Sequence, residues 1–215
     1  MSLAFLEMVN FILTNSPKPK EVQGKENIPG KPYVLVSNHS SWIDASMILK
    51  AVYPHWVYFM VKVENFEKRL LKPFLQVAGM FPVKRGLVDR TALRRAAEIL
   101  NQGGNLGMFV GGTRGTKETL TQLKPAKRGA AWIAKRAHVP ILPLGIVGAR
   151  GYIPFADKLS PRQILEDLRR IKASPPPPIR VAIGQAIDTQ GDADLTELTS
   201  TISERIGGLL KGLRS

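Results

Sequence analysis

Six short apolar runs, at 33–37, 57–61, 80–83, 106–110, 141–147 and 179–184, alternate along this chain with six longer mixed segments. The mixed segments occupy 42–52, 64–77, 89–102, 126–137, 161–172 and 194–213. Short runs rich in Val, Ile, Leu and Phe suit strands, and the mixed segments suit helices that bury one face. Such alternation predicts an α/β fold with a largely parallel or mixed central sheet flanked by helices. The last helix is the most regular. Leu195, Leu198, Ile202, Ile206, Leu209 and Leu213 recur at three- and four-residue spacings and form one core-facing stripe. Pro175 to Pro178 cannot be helical and make a stiff extended lead into the strand from Ile179. A length of 215 residues fits one domain with a substantial core.

The sequence divides into three parts. Residues 1–16 read as an N-terminal amphipathic helix: Glu7, Asn10 and Thr14 make a narrow polar stripe beside a broad apolar face. The apolar stretch 3–13 is too short to span a bilayer and lacks the marks of a signal peptide, so the helix is expected at a membrane interface or packed on the domain. Residues 17–32, punctuated by Pro and Gly and carrying four lysines, read as a connector. The ordered domain is expected over 33–215. Trp42, Trp56 and Trp132 read as core or interface aromatics.

Charge narrows the partners. The net charge is +14, and twelve of those charges fall in two stretches. Residues 62–95 hold nine Lys or Arg against three acids, and 114–136 hold seven against one. Such concentration calls for a polyanion, such as phosphate groups or an anionic membrane surface. No nucleic-acid-binding signature accompanies it, so nucleic acid is not expected as a partner. Cysteine is absent, which excludes disulfides, thiolate metal sites and a cysteine nucleophile. His39, His55 and His138 lie far apart, so no metal site is expected.

The run Asn38-His39-Ser40-Ser41-Trp42-Ile43-Asp44 directly follows the first predicted strand. A histidine ending a strand and an aspartate opening a helix can form a general base with an orienting carboxylate. Neither Ser40 nor Ser41 sits in a G-x-S-x-G elbow, so the expected nucleophile is a substrate hydroxyl. The same spacing has a structural reading: Ser41-x-x-Asp44 resembles a capping box for the following helix. The pair alone leaves both readings open.

Further blocks bear on the choice. Gly79-Met80-Phe81-Pro82-Val83-Lys84-Arg85-Gly86 is a strand ending in basic residues. Phe109-Val110-Gly111-Gly112-Thr113-Arg114-Gly115 and Val139-Pro140-Ile141-Leu142-Pro143-Leu144 follow. In order and approximate spacing, these blocks and the His39–Asp44 run resemble the four signature blocks of the glycerophospholipid acyltransferases. The lysophosphatidic acid acyltransferases are the best-known bacterial members of that family. The resemblance covers about residues 33–150, and Lys62 also matches a basic position usual in these enzymes. It implies His39 and Asp44 as catalytic residues and an acyl thioester donor, acyl-CoA or acyl carrier protein. The implied acceptor is lysophosphatidic acid or a related phosphorylated lysolipid, with no cofactor. The implied location is peripheral, on the cytoplasmic side of a membrane.

The third block also reads as a phosphate site on its own residues. Gly111 and Gly112 allow consecutive N–H groups to converge on an anion, Thr113 offers a hydroxyl and Arg114 a bidentate fork. Arg85 and Lys62 would add charge to the same crevice at the carboxyl ends of the strands. The Pro140 and Pro143 segment reads as a lead-in to a strand. One departure stands out: the family's third block reads Phe-Pro-Glu-Gly-Thr-Arg, and here Val110 and Gly111 replace the Pro and Glu. That leaves open a changed acceptor, reduced activity, or a lipid-binding homologue without chemistry.

Overall fold

A computed structural model describes residues 17–41, 43–69, 72–84, 86, 88–110, 126–149 and 177–215. The expected helices over 1–16 and 161–172, Trp42, Arg85, and the Gly111–Gly115 part of the third block lie outside the described residues.

The strands are β1 (Glu21–Gln23), β2 (Val34–Ser37), β3 (Val57–Lys62), β4 (Phe81–Val83), β5 (Asn105–Phe109), β6 (Ile141–Val147) and β7 (Arg180–Ile183). They form one sheet in the order β1-β7-β6-β2-β5-β3-β4. Strands β6, β2, β5, β3 and β4 run parallel, and β7 runs antiparallel to β6. The sheet is therefore mixed. Its middle strand is β2, whose four residues are all buried, as expected of a strand covered on both faces. Because β2, β5, β3 and β4 share one direction, the chain leaves Ser37, Phe109, Lys62 and Val83 along the same edge.

Helices cover both faces. On one side lies α1 (Asp44–Ala51), whose Met47, Ile48, Leu49 and Ala51 pack with Tyr33 just before β2, Leu35 of β2, Phe59 of β3, and Leu142 and Leu144 of β6. The other side carries α4 (Arg90–Asn101), α5 (Arg128–Ala137) and α6 (Leu195–Gly212) around Val34, Val36 and Leu106. Period-two alternation along β2 thus feeds two cores from one strand. In α6, Leu198, Ile202, Ile206 and Leu210 are buried, and Asp194 caps the helix by accepting from the N–H groups of Thr196 and Glu197. Gly145 of β6 lets this helix close in, because a Cβ there would lie 3.1 Å from Leu209 Cβ. Ile202 is fully buried. Ile202→Ala should cost about 2–5 kcal/mol of stability, read as a lower urea midpoint at unchanged slope.

The structure refines the sequence reading in four places. The helix expected over 64–77 is two, α2 (Val63–Phe66) and α3 (Lys72–Val77). Pro73 is the reason: it has no N–H, and its ring would collide with the carbonyl of Arg69 in a continuous helix. The segment read as a connector, 17–32, contains β1, which pairs with β7, and a short 3₁₀ turn at Lys25–Asn27. Pro140 precedes β6, but Pro143 lies inside that strand in register with Val36. Trp132, expected inside or at an interface, is 42% exposed.

Candidate active site

The site is built on the loop between β2 and α1. Asn38 opens it, and its side-chain amide donates to the carbonyl of Ile146 (2.9 Å) while its oxygen accepts from the Ile146 N–H (2.8 Å). One side chain thus prolongs the pairing of β2 with β6 by a residue and anchors the backbone that presents His39. The sequence reading quoted Asn38 in the motif and gave it no task.

His39 Nδ1 lies 2.9 Å from Asp44 Oδ2. The same carboxylate oxygen accepts from the backbone N–H groups of Ser40 (2.6 Å) and Ser41 (2.8 Å), and Ser40 Oγ donates to Oδ1 at 3.3 Å. An oxygen collecting two main-chain N–H groups is an acceptor, so Nδ1 carries the ring proton and Nε2 holds the lone pair. Asp44 is fully buried, whereas the His39 side chain retains 16% of its exposure. Four hydrogen bonds offset the cost of burying the carboxylate. The capping-box reading is corrected: the residue before α1 is Ile43, with no side-chain cap bond, and Asp44 is the first helical residue, whose bonds to the Ser40 and Ser41 N–H groups tie down the loop leading into α1 while it faces the imidazole.

The His39 ring stacks on Phe109, with centroids 4.1 Å apart and planes at 16°. Phe109 in turn stacks on Phe59 at 5.6 Å and 16°. Phe109 also borders a cavity of about 610 Å³ between the sheet and helices α4 and α5, with Val36, Met60, Val83, Met108 and Ile133 in its wall. Exposed Val88 and Trp132 and the basic Lys84, Lys127 and Arg128 line it as well. The loop from β4 to α4 is braced by Asp89, which accepts from the N–H groups of Lys84, Thr91 and Ala92. The Lys84 N–H first, then that of Ala92, holds the Asp89 carboxyl below the usual aspartate range. A lowered value means the stability from this brace is complete above the ordinary aspartate range and is lost as pH falls from that range down through the lowered value.

Of the residues expected at the site, His39 and Asp44 are together. Lys62 ends β3 on the same sheet edge, but its ammonium pairs with Glu64 at 2.7 Å and the two side chains are about half exposed. Arg85, Gly112, Thr113 and Arg114 fall outside the described residues. Among those residues, no helix is long and apolar enough to cross a membrane.

The acyltransferase family model matches residues 20–147, over half of the chain, and includes the whole His39–Asp44 loop. The chain belongs to the acyltransferase family. A 1-acyl-sn-glycerol-3-phosphate acyltransferase of Bacillus subtilis is 30% identical over 129 residues, covering 60% of this chain and 62% of that protein. A probable 1-acyl-sn-glycerol-3-phosphate acyltransferase of Mycoplasma pneumoniae is 32% identical over 149 residues, covering 66% of this chain and 54% of its own. The matched part therefore spans less than two thirds of either relative. The crystal structure of the 1-acyl-sn-glycerophosphate (LPA) acyltransferase PlsC from Thermotoga maritima superposes with a TM-score of 0.72 at 23% identity. It covers 98% of this chain and 80% of that one, and the two share a fold.

Proposed function

We propose that this protein transfers a fatty acyl group from a thioester, acyl-CoA or acyl carrier protein, to the free hydroxyl of lysophosphatidic acid, giving phosphatidic acid. The observation that carries the reading is the His39–Asp44 pair at the end of the central strand, in a domain of the acyltransferase family. His39 Nε2 accepts the proton of the lysolipid hydroxyl as that oxygen attacks the thioester carbonyl. The tetrahedral intermediate collapses, the C–S bond breaks, and the leaving thiolate takes the proton back from Nε2. Asp44 holds the ring tautomer that allows this and stabilises the imidazolium while it exists.

The acceptor phosphate is assigned to Arg85, Gly112, Thr113 and Arg114, with Lys62 contributing once the phosphate competes with Glu64. Support comes from the glycine pair and arginine fork of the sequence and from the shared sheet edge of the strands that lead to them. The apolar cavity beside Phe109 suits the acyl chain. The basic stretches and the apolar composition of residues 3–13 support a peripheral location at an anionic membrane, taken here as its cytoplasmic side. No cofactor takes part. Gly111 favours a second reading, an acyltransferase for a different acceptor or a lipid-binding homologue without chemistry.

An acceptor panel with and without phosphate, assayed for free thiol, decides among these. Arg114→Ala should raise KM for lysophosphatidic acid by about tenfold or more while leaving an acceptor lacking phosphate little changed. An equal loss on both acceptors would remove the clamp, and thiol release with a different acceptor alone would favour the second reading.

A further inference from the structure

We infer that Gly107, Phe59 and Phe109 form an aromatic brace that fixes the plane of the His39 ring, so that Phe109 is a positioning residue for the proton transfer. The kinetic consequence rests on the acyl-transfer reading above; the geometric one does not.

A hydrogen bond from Nδ1 to Asp44 fixes one atom of the imidazole. It leaves the ring free to tilt about that bond, and the ring torsion of histidine is intrinsically broad. The second constraint is the face contact with Phe109 at 4.1 Å and 16°. One bonded atom and one stacked face together determine where Nε2 points. As the ring takes up a proton, the same aromatic face attracts the cation that forms.

Phe109 is itself held. Its ring lies nearly parallel to that of Phe59 at 5.6 Å, and Phe59 is 1% exposed. Phe59 sits on β3 directly opposite Gly107 of β5, and Leu35 of β2 faces the same glycine from the other side. A Cβ at Gly107 would lie 2.3 Å from Phe59 Cε1, 2.6 Å from Cδ1 and 2.8 Å from Cζ. The Phe59 ring therefore occupies the space a side chain on β5 would fill. Glycine inside a buried strand weakens that strand, and here it marks a close approach of an aromatic ring to the backbone. The order of support runs from Gly107 through Phe59 and Phe109 to His39, with Phe59 outside the signature blocks and Gly107 just ahead of the third.

Phe109→Leu removes the ring and keeps an apolar side chain. Gly107→Ala alters neither His39 nor Phe109 themselves and drives the Phe59 ring aside. Both are made in the full chain and read by kcat and acceptor KM from thiol release, by thermal midpoint, and by the proton resonances of the His39 ring, assigned by their loss in His39→Ala. Each variant is expected to lose about five- to tenfold in kcat with acceptor KM changed less than about twofold. In Phe109→Leu the His39 ring protons should also move downfield as the ring current of Phe109 disappears. Wild-type kcat and unmoved His39 resonances, with only a lower thermal midpoint, would make the stack mere packing and overturn the inference. If the wild-type protein transfers no acyl group, the functional reading fails by itself. The resonances of Gly107→Ala, which retains the Phe109 ring and its ring current, then decide the brace: displaced His39 ring protons support it and unchanged positions overturn it.

Discussion

His39→Ala is expected to lower turnover by about 10²–10⁴-fold while leaving the domain folded. The two halves of that expectation come from different contacts. Activity depends on Nε2, the ring nitrogen that Asp44 leaves with its lone pair. Stability depends little on the ring, because the loop is held by other bonds. Asn38 stays paired with Ile146, and Asp44 keeps the N–H groups of Ser40 and Ser41. Steady-state thiol release with a thermal melt of the same sample checks both. Near-normal turnover in a folded variant would remove the base assignment.

Asp44 is expected to give two different results for two substitutions. Asp44→Asn keeps the size of the side chain and puts an amide where the carboxylate was. The amide oxygen takes the place of Oδ2, where the N–H groups of Ser40 and Ser41 and Nδ1 of His39 converge, so the ring tautomer is kept and the negative charge that stabilises the imidazolium is lost. A loss in kcat within the roughly 10²–10⁴-fold that a general base contributes is expected, because the imidazolium formed in proton transfer no longer faces a carboxylate. Asp44→Ala should also destabilise the domain, since the N–H groups of Ser40 and Ser41 lose their shared acceptor. Each donor left unpaired in a buried setting costs about 1–3 kcal/mol. Chemical denaturation separates the two variants. Wild-type kcat in Asp44→Asn would contradict the charge argument, and unchanged stability in Asp44→Ala would contradict the role of Asp44 in tying down the loop.

Residues with a strong local signature were legible before the fold. The apolar runs at 33–37 and 141–147 are buried strands because a central strand has to be apolar on both faces. The stripe from Leu198 to Leu210 is a core helix for the same reason at a different period. Strand β1 was not legible: Glu21-Val22-Gln23 is a three-residue, largely exposed edge strand whose partners in β7 lie 159 positions away along the chain. The direction of β7 is likewise a property of its partner and not of its own residues.

The site divides in the same way. His39 and Asp44 lie five residues apart, within one turn of loop, so spacing alone brought them into consideration. Their joint role with Ser40 and Ser41 needed coordinates, because main-chain donors leave no mark in a sequence. Phe59 and Gly107 stand 48 positions apart and meet only through strand register, which periodicity does not report. Lys62 shows the opposite case. Expected beside the phosphate crevice, it ends β3 with Glu64, two residues on, as its ion-pair partner, and that pairing is set by a side-chain geometry the sequence does not report.

The stoichiometry of acyl transfer tests the central claim most directly. Acyl-CoA and lysophosphatidic acid are incubated with the purified chain, and free thiol and phosphatidic acid are measured together. One thiol released per phosphatidic acid formed, with both signals abolished in His39→Ala, is the predicted result. Binding of lysophosphatidic acid with no thiol released would contradict it, as would turnover that survives the loss of His39.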